Sequence, residues 1–193
     1  MTRHLILASA SPRRRQMLTQ LGVAFRIEIA AVDESPLPGE APSDMTLRLA
    51  LLKARTVSER VGAANPVLAG DTAVAIGGES LGKPSDRDHA VALLQRLSGA
   101  THMVYSAVAL VAGGRQMHRL STTEVTFGHL EQRQIERYCD SAEPFDKAGA
   151  YGIQGRAGAF VKRIKGSYSG VVGLPLWETR QLLRQLEYPR QYP

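Results

Sequence analysis

Residues 101–127 consist of two long runs of strand-forming residues joined by the short sequence AGGR. Strands with so few residues between them pair antiparallel, because a parallel connection needs a crossover of a dozen or more residues. The segment therefore predicts a long β-hairpin. A hairpin of this kind argues against a purely parallel, doubly wound sheet, which is a common arrangement for chains that alternate strands and helices.

The rest of the chain does alternate strands and helices. HLILA and NPVLAGDTAVAI are apolar runs typical of buried strands, whereas AFRIEIA alternates and AFVKRIKGS resembles a strand near the C-terminus. Helices are predicted after three serine caps, near 131–141 and within LPLWETRQLLRQL. The caps and the helices that they begin are Ser11 with Pro12 first, Ser43 with about 44–61, and Ser85 with about 86–97. This order indicates an α/β protein with a mixed sheet.

Length and cysteine content narrow the class of protein. The chain has 193 residues, which fits one α/β domain or two closely packed lobes and suffices to bury a core. Cys139 is the only cysteine, so an intramolecular disulfide framework and a cysteine-rich metal site are excluded. No stretch approaches the roughly 20 apolar residues of a transmembrane helix, and LILA is too short for the core of a signal peptide. We expect a soluble, cytoplasmic protein without a membrane partner.

The formal net charge of +6 favours acidic partners such as nucleotides, nucleic acid or an anionic surface, although a solvated basic surface would give the same value. The cations are scattered along the chain, and no aromatic-rich RNA-binding motif accompanies them. A nucleic-acid-binding regulator of cell division is therefore a rival interpretation that the sequence disfavours. Strong, salt-dependent DNA binding without nucleotide turnover would support it.

The sequence SASPRRR places three arginines in the first turn of the first predicted helix. Cations are disfavoured there because a helix N-terminus carries partial positive charge. Arg13 and Arg14 each stand four residues before an apolar residue, so both point toward the core-facing side of the helix. Arg15 precedes a threonine at the same spacing, and we expect it to face solvent.

Two inward-facing cations need an anion. Backbone N–H groups of the first turn, the hydroxyls of Ser9 and Ser11, and the two guanidinium groups of Arg13 and Arg14 would together form a phosphate cradle. The alternative is a pair of structural salt bridges to aspartate or glutamate. The local pattern does not decide between these two interpretations.

Two more charged residues interrupt apolar patterns. Lys53 has Leu49 and Val57 four residues to either side, so it lies within the apolar side of its helix. It either has a buried partner or snorkels with its stem on the core. Asp71 interrupts VLAGDTAVAI, where a carboxylate is costly unless it is paired or bound to metal. The adjacent Gly70 fits the close approach of a ligand or of another backbone, whereas a capped turn is the bland alternative.

Asp33 and Glu34 follow a strand, a position where oxygen ligands suit Mg²⁺ or Mn²⁺, although acidic loops are usually only solvated. Lys83 stands beside a proline turn and is either a phosphate contact or a surface lysine. Inward cations, carboxylates and a divalent ion are the components of phosphate chemistry. The motifs GxxxxGK[ST] and GxGxxG are missing, which argues against a Walker-type NTPase and a dinucleotide oxidoreductase.

Seven segments occur in the order and spacing of the Maf-like nucleoside triphosphate pyrophosphatases: LILASASPRRRQML, VDE, RLALLKA, AGDTAV, LGKP, DKAGAYGIQG and GSYSGVVGLPL. The resemblance runs from about residue 5 to about residue 183. It implies a single domain over residues 1–193 with an α/β fold resembling that of inosine triphosphate pyrophosphatases. In that fold an elongated mixed β-sheet with flanking helices has a cleft between two lobes. The resemblance also implies a divalent metal, Mg²⁺ or Mn²⁺, and a homodimer.

Within the family, AGAYGIQG and GSYSGVVGLPL resemble the dTTP/UTP subgroup. The 7-methyl-GTP subgroup typically has a Ser-Phe-Lys-Ser-Glu-Gly-like stretch at the first of these positions. The implied reaction is NTP + H₂O → NMP + pyrophosphate. By resemblance, Asp71 accepts the proton of the attacking water, and substrate choice depends on Arg13, Thr72 and Gln154. A 7-methyl-GTP or other modified-nucleotide pyrophosphatase of the same family is the alternative.

The remaining expectations combine the resemblance with the charge pattern. Glu34 would hold the metal together with Asp71, and we prefer Glu34 to Asp33 because relatives vary at the latter position. The triphosphate would be bound by Ser9, Arg13, Arg14, Lys53 and Lys83. The cations would neutralise charge that moves toward the leaving pyrophosphate.

Overall fold

One mixed β-sheet of seven strands runs through the residues that the structure, a computed structural model, describes, which are 4–62 and 64–186. The strands are β1 (Leu5–Leu7), β2 (Phe25–Ile27), β3 (Val67–Ile76), β4 (Glu79–Leu81), β5 (Thr101–Ala112), β6 (Arg115–Phe127) and β7 (Val161–Lys165). Their order is β2-β1-β3-β5-β6-β7, with β4 paired to β3. β1 runs parallel to β2 and β3, and the other pairs are antiparallel. The predicted mixed sheet is confirmed.

The predicted hairpin is the longest paired unit of this sheet. β5 and β6 pair continuously from Thr101 opposite Thr126 to Ala112 opposite Arg115. The two residues between the strands, Gly113 and Gly114, have φ values of 55° and 78°. Positive φ at both central residues is the requirement of a type I′ turn, which glycine meets without strain and which matches the twist of the flanking strands.

Six α-helices accompany the sheet in the described ranges: α1 (Pro12–Gln20), α2 (Pro42–Val61), α3 (Arg87–Leu97), α4 (Gln132–Cys139), α5 (Tyr168–Val172) and α6 (Leu176–Arg184). Within these ranges, none is both long and apolar enough to cross a membrane. Sequence patterns predicted all except α5, whose single turn is too short to show a helical period. Residues 143–160, a glycine-rich stretch with no helical or strand period, contain two 3₁₀ turns, at 148–150 and 156–160.

The helix caps were predicted correctly in one case and wrongly in two. Ser11 caps α1 and accepts a hydrogen bond from the Arg14 N–H, as predicted. Ser43 is not a cap, because α2 begins at Pro42, two residues before the predicted start, and the proline ring presets the helical φ. Ser85 is not a cap either, because the Asp86 carboxylate takes that role on α3.

The cap of α3 gives a test of stability against pH. Asp86 accepts the His89 N–H at 2.8 Å, and this bond is the largest cause of a pKa of Asp86 below its ordinary 3.8. The ionised form therefore favours folding, so its contribution is complete above pH 3.8 and is lost as pH falls through the lower folded-state pKa. Asp86→Ala should lower the urea midpoint at neutral pH, and the difference from wild type should shrink in strong acid. If Ser85→Ala lowered the urea midpoint more than Asp86→Ala does, Ser85 and not Asp86 would be the cap.

Small residues let α2 lie close to the sheet. Ala50 and Ala54 on the helix face Ala69 of β3 and Ala107 of β5, and all four side chains have 0% exposure. Helix α2 packs on these two strands along most of its length. Because the helix lies so close, a long side chain on this face of α2 reaches the strand beneath it. Lys53 is the residue on this face that carries a charge.

β3 has a gap along the edge opposite β5. β1 pairs with this edge as far as Leu68, and β4 pairs with it from Val74 onward. In the described part of the chain, no strand covers residues 69–73 between them. The core also divides here, because one apolar cluster surrounds α3 and α4 and another surrounds α1, α5 and α6. The predicted cleft lies between these two clusters.

Candidate active site

A cavity of about 620 Å³ opens at the gap in β3. Its walls come from the loop before α1 and the first turn of that helix, from the middle of β3, and from the glycine-rich segment 143–155. The structure brings to this one cavity ten residues that the sequence singled out, whereas the exposed Asp33 does not line it. The ten are Ser9, Ser11, Arg13, Arg14, Glu34, Lys53, Asp71, Thr72, Lys83 and Gln154. These residues come from distant parts of the chain, and their roles remain predictions.

Lys53 joins two carboxylates at the floor of the cavity. Its Nζ lies 2.7 Å from Asp71 Oδ1 and 2.9 Å from Glu34 Oε1. Lys53 and Asp71 are each only 7% exposed, whereas Glu34 stands on an exposed loop. Lys53 therefore does not snorkel to the surface. The buried carboxylate that interrupted the β3 pattern is paired, as its burial requires.

Asp71 and Thr72 reach the same cavity from opposite faces of the sheet. Successive strand residues point to opposite faces, so Asp71 faces α2 while Thr72 faces α1. Thr72 Oγ1 accepts a hydrogen bond from Arg14 at 3.3 Å and lies 3.2 Å from Ser106 Oγ on β5. Both side chains border one cavity because the neighbouring strand is missing at this point of β3.

Arg14 lies across β3, and the groups that it hydrogen-bonds there are all neutral. Its Nε donates to the Gly173 carbonyl at 2.9 Å, and a Cβ on Gly70 would stand 3.4 Å from that nitrogen. The side chain also bonds Thr72 and Ser9, all neutral oxygens. Burial lowers the pKa of Arg14, and the charges of Asp71 and then Glu34 oppose this, yet a guanidinium stays protonated in the physiological range. Among the described residues no carboxylate contacts it, so the salt-bridge alternative does not apply to Arg14.

Arg13 and Arg14 have different partners. Arg13 Nη1 lies 2.9 Å from Asp146 Oδ2, an ion pair that crosses the cavity from α1 to the segment opposite. Asp146 also contacts Lys147. For Arg13 the structure therefore shows the predicted alternative, a salt bridge, although both partners border the cavity. Arg15 is exposed, as predicted.

Lys83 and Gln154 are both exposed and also line the cavity. Lys83 follows β4 and forms no ion pair with any residue that the structure describes. Gln154 is the third residue of a turn in which the Gly155 N–H donates to the Gly152 carbonyl at 3.0 Å. The side-chain amide of Gln154 therefore extends from a turn, whereas the Asp71 carboxylate extends from a strand in the middle of the sheet.

Sequence reasoning missed Glu143, Asp146 and Tyr151, which also border the cavity. All three lie in the stretch that showed no helical or strand period. The available signal was its glycine content. A Cβ on Gly155 would stand 2.2 Å from Glu143 Oε1, so that glycine makes room for a packed side chain.

The donor set fits a divalent cation that is shared with a phosphate. Within the described residues there is no group of three or more histidine, cysteine, aspartate or glutamate side chains that could hold a metal. Glu34 and Asp71 contact the same ammonium, so the two carboxylates are close enough to share one cation. Mg²⁺ is commonly bound by one or two carboxylates together with phosphate oxygens and water.

Comparison with known proteins agrees with the resemblance. The family model described as Maf-like protein matches residues 4–186. The dTTP/UTP pyrophosphatase of Cupriavidus pinatubonensis is 50% identical over 192 residues, covering 94% of this chain and 96% of that protein. The protein of the same name from Hahella chejuensis is 52% identical over 185 residues, covering 95% and 92%. The structure of the Staphylococcus aureus Ham1 protein superposes with a TM-score of 0.51 at 12% identity, covering 96% and 98%, which shows a shared fold.

Proposed function

The chain belongs to the Maf-like protein family, and from that premise we propose that it is a nucleoside triphosphate pyrophosphatase that hydrolyses dTTP and UTP to the monophosphate and pyrophosphate. Relatives that bear the name dTTP/UTP pyrophosphatase are about half identical to it over nearly their whole length. The observation that carries the proposal is the cavity itself. It combines a buried Lys53–Asp71 pair with the guanidinium of Arg14, which no described carboxylate contacts.

In the proposed reaction a water molecule attacks the α-phosphorus, the bond to the β-phosphate breaks, and pyrophosphate leaves. Asp71 takes the proton of that water. Its Oδ1 is held by Lys53, whereas Oδ2 accepts no hydrogen bond from the described residues and is free to bind the water. The pairing with Lys53 fixes the carboxylate on the rigid middle of β3.

The cations around the cavity stabilise charge that develops on the leaving pyrophosphate. Arg14 and Lys83 form no ion pair with a carboxylate of the described residues, and Ser9 adds a hydroxyl beside Arg14. Arg13 would exchange Asp146 for a phosphate oxygen. That exchange costs little, because Asp146 is largely exposed and ion pairs of this kind contribute about 0–1 kcal/mol.

Glu34 and Asp71 are the residues that would hold Mg²⁺ or Mn²⁺. Such an ion supplies positive charge to the phosphate oxygens when it is bound. We also propose a cytoplasmic location, a single domain over residues 1–193 and a homodimer. The low cysteine content supports the first, the continuous sheet supports the second, and the family resemblance supports the third.

Base recognition is assigned to Gln154, with Thr72 and Arg13 contributing to substrate choice. A carboxamide has one donor side and one acceptor side, which match the O4 and N3–H of uracil or thymine. Accepting both bases requires only room for a methyl group. A panel of nucleoside triphosphates that includes 7-methyl-GTP, assayed for pyrophosphate release with and without Mg²⁺ or Mn²⁺, tests the proposal. A preference for 7-methyl-GTP would favour the alternative substrate within the same family.

Gln154→Ala should change base preference more than overall turnover. We expect kcat/KM for UTP to fall about tenfold, because the uracil loses its paired donor and acceptor, while kcat/KM for CTP changes little. The exposed Gln20→Ala on α1 is the matched control and should leave both values unchanged. Equal losses for all nucleotides would count against the assignment of Gln154 to the base.

A further inference from the structure

One acidic side chain, that of Glu143, hydrogen-bonds the backbone just after the turn that carries Gln154. Glu143 Oε2 accepts the Arg156 N–H at 3.1 Å, and Oε1 accepts the Ala157 N–H at 3.5 Å. Gly155 leaves room for this carboxylate, because a Cβ there would stand 2.2 Å from Oε1. The carboxylate therefore fixes the backbone that follows Gln154.

A buried phenol fixes the other end of the same turn. Tyr138 is 3% exposed on α4, and its ring packs edge-on against Phe160 with centroids 5.2 Å apart. Its hydroxyl donates to Glu143 Oε1 at 3.0 Å and accepts the Gly152 N–H at 3.3 Å. Burial, followed by the charge of Glu143, raises the pKa of Tyr138 above its ordinary value, so the phenol keeps the proton that it donates.

Glu143 and Tyr138 thus connect both ends of the Gly152–Gly155 turn to helix α4. Lys147 strengthens the connection, because its Nζ donates to the Glu143 carbonyl at 2.5 Å. Within the part of the chain that the structure describes, no residue hydrogen-bonds the exposed side chain of Gln154. The direction of its carboxamide therefore depends on how firmly the turn is held.

We propose that Glu143, acting with Tyr138, is the positioning residue that sets the base preference of this site by fixing the turn that carries Gln154. This inference rests on the proposed function, since it assigns Gln154 to the base. Glu143 is not among the residues assigned to the phosphates, and its carboxylate accepts backbone N–H groups that follow the turn. Its replacement should alter which base is accepted and spare the binding of the triphosphate.

The test is Glu143→Gln. The Glu143 carboxylate accepts three hydrogen bonds, from Arg156 N–H, Ala157 N–H and Tyr138 O–H. Glutamine has the same size but only one acceptor oxygen, so its NH₂ group faces at least one of these donors and that hydrogen bond is lost. We expect the ratio of kcat/KM for UTP to that for CTP to fall about tenfold. The inhibition constant of inorganic triphosphate, which probes only the phosphate half of the cavity, should change less than about twofold. Glu59→Gln, an exposed residue on α2, is the matched control and should change neither value.

Two further variants separate positioning from general damage. Tyr138→Phe keeps the ring and should lower the same ratio by a smaller factor. In a Gln154→Ala background, Glu143→Gln should lower the ratio no further, because the two residues act through one turn. An unchanged ratio in both single variants overturns the inference, as does weaker triphosphate inhibition in step with the ratio. If Gln154→Ala itself leaves the ratio unchanged, the assignment of the base to Gln154 fails instead.

Discussion

Asp71→Asn should lower kcat for UTP at least about 100-fold while nucleotide binding survives, because asparagine has no carboxylate to take a proton. The fold should be retained, since the amide oxygen can still accept a hydrogen bond from Lys53, which also keeps its contact with Glu34. In buffer without divalent metal, where the proposed metal-ligand role of Asp71 does not enter, removing a negative charge from a cavity that binds an anion does not weaken that binding electrostatically. The loss should therefore appear in turnover and not in nucleotide binding measured without metal.

Pyrophosphate release measures the first half of this result. Calorimetry with a UTP analogue that has nitrogen in place of the α,β-bridging oxygen measures the second half, because that analogue resists hydrolysis. Asp88→Asn is the matched control for the change in charge, since its side chain is 98% exposed. Turnover that survives in Asp71→Asn would remove Asp71 from the catalytic role.

Lys53→Met should produce the largest loss of stability among single substitutions in the cavity. Methionine fills a similar volume but leaves the buried carboxylate of Asp71 without its counter-charge. Breaking a buried pair in this way typically costs about 3–5 kcal/mol of unfolding free energy. Urea denaturation at neutral pH measures the difference, and turnover should fall with it because Asp71 is no longer held.

A double variant identifies the cause of that loss. Adding Asp71→Asn to Lys53→Met removes the unpaired charge, so part of the lost unfolding free energy should return. Lys165→Met breaks the 3.2 Å ion pair with Glu124 at the surface and should cost less than about 1 kcal/mol. If Lys53→Met and Lys165→Met cost the same, the Lys53–Asp71 pair does not stabilise the fold.

The features that sequence analysis predicted well are those that adjacent residues determine. The hairpin of β5 and β6 follows from two glycines between two long runs of strand-forming residues, and Lys53 and Asp71 were visible because each breaks an apolar pattern. Their pairing with each other was not visible. It depends on the close approach of α2 to β3, which the alanines between them allow only once both elements are formed.

Glu143 shows why the rest of the site escaped prediction. Its partners are two backbone N–H groups of the 3₁₀ turn at 156–160 and a phenol on α4. Such contacts impose no repeating pattern on the sequence, so periodicity could not identify Glu143. The different partners of Arg13 and Arg14 were hidden for a similar reason, since Asp146 lies 133 residues away along the chain.

The bare edge of β3 between β1 and β4 also bears on solubility. An uncovered strand edge offers unpaired N–H and C=O groups to any extended chain, and this is a common route to aggregation. Here the stretch without a partner strand on this edge, residues 69–73, is closed at both ends by strands and is flanked by the charges of Arg14 and Lys53. An invading strand would have to desolvate those charges. The cations that we assign to substrate binding therefore also disfavour pairing of a foreign strand with this edge of the sheet.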